Sequence, residues 1–120
     1  MGQDRTVQFS SGVPSWDAIK GQLARVGEPA PLRMIDGLPA FPDESPADGW
    51  RELRVAVGGE MVTLRRSTDS ITCVMWGTAD AALLARVVWA CAAAGGGQVV
   101  ASPAPLSADE FAQHTGLRQA

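Results

Sequence analysis

The chain has 120 residues, 46% apolar and 19% charged, the composition of one globular domain rather than of a disordered or fibrous chain. Its net charge of −3 argues against nucleic acid as a partner, because phosphate binding draws on a basic surface. No apolar run is long enough to span a bilayer, and the first residues lack the apolar core of a signal peptide, so a cytoplasmic protein with no membrane association is expected.

A single domain over 1–120 is expected, with residues 1–4 and 117–120 frayed. The opening MGQDRT fits the loose myristoylation pattern, but so short a pattern arises by chance and the following residues read as a strand. Residues 5–10 form that strand, with Val7 and Phe9 on one face. Ser15 then caps a helix over 15–26, in which Trp16, Ile19, Leu23 and Val26 recur at helical spacing. Residues 32–35 are a short strand, Asp36-Gly37 a turn, and 38–41 a second strand that Pro39 restricts to an edge or a bulge. The loop 43–48 carries Asp43, Glu44 and Asp48. Their spacing matches no calcium loop, so a solvated loop is expected and no metal site.

Residues 50–76 make a three-strand meander. Leu53, Val55 and Val57 alternate with Glu52, Arg54 and Ala56, the period of a half-buried strand. Gly58-Gly59 is a two-residue hairpin turn, which sets the register: Val55 against Val62, Leu53 against Leu64, Glu52 against Arg65 and Arg54 against Thr63. Pairing through the turn at 67–70 sets Leu64 against Cys73 and Val62 against Met75. The helix 79–94 follows, capped by Thr78 or Asp80 and apolar around most of its circumference, hence buried. Gly95-Gly96-Gly97 ends it. These glycines follow a helix rather than precede one, so they cap the helix and cradle no phosphate. A short strand over 98–102 and a stiff Pro103-Ala104-Pro105 connector lead to a capping box, Ser107 with Glu110, and a short helix ended by Gly116.

The expected fold is α+β: a two-layer sandwich with a mostly antiparallel sheet, helices 15–26 and 79–94 on one face, and a short C-terminal helix. Cys73 and Cys91 both project into the core, where free thiols are expected. His114, the sole histidine, has no ligand set or nucleophile beside it in sequence. Neither a catalytic group nor a cofactor motif stands out, and no cofactor is expected.

Two arginine groups remain. Arg54 and Arg65 share the outer sheet face with Met61, Val74 and Trp76, an apolar patch rimmed by charge, and Trp, Met and Arg are enriched at interfaces. The leading expectation is therefore a non-enzymatic interaction module, a homodimer or a binder of another protein, acting through that face. The alternative is a small-molecule or anion-binding protein, or a cryptic enzyme, using Arg51, Arg66 and the acidic loop 43–48. The Ala-, Gly-, Arg- and Val-rich usage is associated with bacterial sources.

Overall fold

The computed structural model describes residues 3–27, 30–46, 49–58, 60–75, 81–100 and 104–115. They form one eight-stranded antiparallel sheet and three helices. In chain order these are β1 (Gln3–Gln8), α1 (Trp16–Arg25), β2 (Leu32–Ile35), β3 (Leu38–Pro39), β4 (Glu52–Val57), β5 (Glu60–Arg66), β6 (Ser70–Met75), α2 (Ala81–Gly95), β7 (Gln98–Val99), β8 (Leu106–Ser107) and α3 (Ala108–Thr115). Across the sheet the order is β3-β2-β4-β5-β6-β1-β7-β8. The α+β sandwich read from the sequence is the fold observed.

The meander has the register that its turns dictate. Glu52 faces Arg65, Leu53 faces Leu64, Arg54 faces Thr63 and Val55 faces Val62. Leu64 faces Cys73 and Val62 faces Met75. One residue of slip would carry Leu64 and Val62 to the other face. Their burial, together with that of Leu53, Val55, Ile71 and Val7, shows what holds the register. At the β2–β3 hairpin, Asp36 and Gly37 have φ of 50° and 83° between Ile35 and Leu38, the left-handed pair of a type I′ turn. The Asp36 carboxylate also accepts the backbone N–H groups of Arg51 at 2.7 Å and Glu52 at 2.9 Å, so one side chain ties this turn to the start of β4.

Several expectations are corrected. β1 begins at Gln3, so Gln3 and Asp4 are not frayed: they pair with Met75 and Val74 of β6. The reason is topological, since β1 lies between β6 and β7 and extends as far as β6 offers partners. Ser107, expected as a cap, also belongs with Leu106 to an edge strand paired with β7. The strand expected over 98–102 is described as Gln98–Val99 only, although the Val100 N–H still donates to the Thr6 carbonyl. Pro39 does lie on the edge strand β3, where its missing N–H leaves no ladder bond unmade.

All three helices bury their apolar residues in a single core. Trp16, Ile19 and Leu23 of α1, Leu84, Val87, Val88 and Cys91 of α2, and Phe111 of α3 join the inner-face residues of the sheet. Ser15 accepts the Ala18 N–H as the α1 cap. Ser107 and Glu110 exchange the two bonds of the capping box, and the Ser107 N–H, followed by its hydroxyl, holds the Glu110 carboxyl below its ordinary value. At the end of α2, Gly96 has φ +63° and the Gly97 N–H reaches back to the Ala92 carbonyl at 2.9 Å, a Schellman cap. The cap expectations at Thr78, Asp80 and Gly116, and the His114 side chain, lie outside the described residues. Among those described, no helix is long and apolar enough to cross a membrane.

Candidate functional site

The outer sheet face carries its residues in cross-strand rows. One row runs Met34, Arg54, Thr63, Val74, Asp4 from β2 to β1. The next runs Glu52, Arg65, Thr72, Thr6. Arg65 Nε meets Glu52 Oε1 at 3.3 Å, and the Thr6 and Thr72 hydroxyls hydrogen-bond at 3.0 Å. Met61 is 44% exposed, and Arg54 and Arg65, one and two rows further along the face, are exposed as well. Val74 points outward as expected but is only 6% exposed, and Thr63 opposite it 4%, which corrects the picture of Val74 as an open apolar contact. Both lie on central strands of the sheet, β5 and β6, with a paired strand on each side. Trp76 lies outside the described residues. Among the described residues of this face, Met61 is the exposed large apolar one.

The second arginine group lies at the opposite end of the meander from the Gly58 turn. The Arg66 N–H donates to the Arg51 carbonyl at 2.8 Å, which brings the two residues side by side. The Arg66 guanidinium sits 5.5 Å from the centroid of the Trp50 ring, a cation–π arrangement against a residue only 2% exposed. A hollow of about 320 Å³ is lined by Gly49, Trp50, Arg51, Arg66, Ser67 and Thr68. A second, of about 360 Å³, is lined by Val13, Pro14, Ser15, Arg66 and Thr68. They share Arg66 and Thr68 and so adjoin each other. The sequence paired Arg51 with Arg66 but missed Ser15, Ser67 and Thr68. Ser67 and Thr68 adjoin Arg66 in the chain, whereas Ser15 arrives only through the packing of α1.

Among the described residues, the acidic loop supplies no carboxylate to these hollows. The Glu44 carboxylate accepts the Phe41 N–H at 3.2 Å within its own turn, and Ser45 donates to Asp17 of α1 at 3.2 Å. Asp43 is exposed, and Asp48 lies outside the described residues. The loop carboxylates are therefore not partners of Arg51 and Arg66 among the described residues. No group of three or more His, Cys, Asp or Glu able to hold a metal occurs there either.

Cys73 and Cys91 are free, fully buried and 3.9 Å apart at sulfur, joining β6 to α2. The hydrogen bond to Cys91, and then burial, push the Cys73 thiol well above its ordinary value, which disfavours the nucleophilic thiolate. A further hollow of about 290 Å³, lined by Gln8, Phe9, Ser10, Asp69, Gly96 and Gln98, has Asp69 as its one charged wall residue. Leu38 and Phe41 are exposed at the β3 edge, where Pro39 denies an incoming strand one backbone donor. Comparison with protein families, with curated proteins and with solved structures returned no match.

Proposed function

We propose that this protein is an interaction module that self-associates through the outer face of its sheet. The observation that carries the reading is the placement of the helices. All three bury their apolar residues in the inner-face core, and no described element packs on the other face. An antiparallel sheet covered on one side presents its other side to water or to a partner.

Charge favours a second copy as that partner. The row Arg54, Thr63, Val74, Asp4 runs from a cation on β4 to an anion on β1, and both ends are exposed. A two-fold axis parallel to the strands and between β5 and β6 sets Arg54 of each copy over Asp4 of the other, with the short Thr63 and Val74 at the centre. Aligned face-to-face packing of sheets is a common arrangement. The five strands β2 to β1 span roughly 24 Å by 20 Å at ordinary spacings, or roughly 500 Å² per copy. About 1,000 Å² in total is the lower end for a specific interface, so the dimer is weak and in the micromolar range.

The test is the solution mass by light scattering from about 10 to 500 µM, concentrations chosen to span such an affinity. Met61→Arg and Trp76→Arg are expected to give folded monomers. Arg54→Asp and Asp4→Arg are each expected to weaken association, and the two together to restore it. A wild type that stays monomeric throughout overturns self-association and redirects the face to another protein. A dimer indifferent to all four substitutions overturns the choice of face.

A further inference from the structure

We propose that Cys73 and Cys91 are a redox latch: in oxidising surroundings they join β6 to α2 as a disulfide, and in reducing surroundings they stay a buried thiol pair. The two residues are 18 positions apart in the chain, and their sulfurs meet at 3.9 Å in the core. Both are 0% exposed. The chain has two cysteines, so a disulfide within one molecule is this one.

The surroundings of the pair favour a disulfide over other oxidised forms. Cys73 stands opposite Leu64 of β5, Val87 and Val88 precede Cys91 by one turn of α2, and all three are buried. Each thiol is a weak donor, and one of the two at a time can donate to the other. A disulfide removes both donors and puts no new polar group among these side chains. A sulfenic or sulfinic acid would bring one, and an unpaired polar group is costly to bury. A disulfide is about 2.0 Å long, so the sulfurs close by about 1.9 Å, a movement shared between two side chains that already touch.

The bond would join two central elements. α2 packs on α1 and α3 and on β1, β6 and β7, and β6 lies between β5 and β1 in the sheet. Closing the chain between them restricts the unfolded state, so the bridged protein is the more stable one. The oxidant is a small disulfide such as oxidised glutathione. One cysteine thiolate attacks it, a mixed disulfide forms and one glutathione leaves. The second cysteine thiolate attacks the mixed disulfide, the Cys73–Cys91 bond forms and the second glutathione leaves. The protein has lost two electrons and two protons, and one glutathione disulfide has become two glutathiones. Burial, with the Cys73 thiol pushed well above its ordinary value, holds this exchange back in the folded state. Exchange therefore runs through the unfolded or opened chain, and folding encloses the product.

The experiment sets the full chain against mixtures of reduced and oxidised glutathione, refolded into buffer in one series and kept unfolded in urea in the other. After an acid quench and alkylation, the bridge is read by mass spectrometry as the loss of two hydrogens. The effective concentration of one thiol for the other is expected to be at least tenfold higher in the refolded chain than in urea. The bridged protein is expected to melt about 8–12 °C above the dithiol form. Cys73→Ala and Cys91→Ala should each melt at one temperature whatever the glutathione ratio. Because a core substitution can disturb folding, non-reducing peptide mapping of the wild type locates the bridge without a variant. A ratio smaller than tenfold, a bridged protein no more stable than the dithiol, or oxidation found only between molecules would each overturn the latch.

Discussion

Gly97→Ala tests the closest approach to any described glycine. A Cβ at Gly97 would stand 2.6 Å from the Phe9 ring and 2.8 Å from the Gln8 carbonyl oxygen, and one at Gly95 would meet the same ring at 2.8 Å. These glycines form the bed on which Phe9 lies at the end of β1. The ring can give way, but the carbonyl belongs to a strand paired on both sides. Overpacking of this kind costs about 1–3 kcal/mol. For a domain of 120 residues each kcal/mol lowers the melting temperature by about 4 °C. A loss of about 4–12 °C is therefore expected in thermal and urea unfolding. Gly96→Ala has nothing within 4 Å to strike, and there the cost is the +63° φ, about 1 kcal/mol. Asn at 96 should recover much of that loss, while Asn at 97 should recover nothing. Combining Gly97→Ala with Phe9→Ala removes the ring and leaves the carbonyl, so only part of the loss of Gly97→Ala should disappear in the pair. A Gly97→Ala protein that melts within a degree or two of wild type would refute the close approach.

Other outcomes follow from single side chains. Asp36→Ala removes two acceptors and leaves φ +50° on an alanine. After allowance for the exposure of the carboxylate it should cost about 1–2 kcal/mol, measured by urea unfolding. The Glu52 and Arg51 N–H groups hold the Asp36 carboxyl below its ordinary value, so its contribution is present above about pH 4 and is lost as pH falls through the folded-state value. Asp36→Asn should accordingly flatten the acid limb of the stability profile, and an unchanged limb would contradict this. Cys73 and Cys91 should resist iodoacetamide at pH 8 in the folded protein and react in denaturant, as read by mass spectrometry. Rapid labelling of the native state would show that the core between β6 and α2 opens.

The sequence by itself determined the local framework. Alternation from Leu53 to Val57 and the Gly58-Gly59 and Asp36-Gly37 turns were enough to set strand registers, because a two-residue turn leaves one pairing that buries one face. Capping at Ser15 and at Ser107 with Glu110 was legible for the same reason: donor and acceptor lie within four residues. Tertiary structure alone decided what depends on distant segments. It inserted β1 between β6 and β7 and so ordered Gln3 and Asp4, which no local pattern shows. It covered Val74, which the alternation of its own strand leaves on the outer face. It tied Asp17 to Ser45, 28 residues away in the chain, and brought Ser15 to Arg66. Strand order and the lining of the hollows are set by the contest among long-range burials, and that contest leaves no periodic trace along the chain.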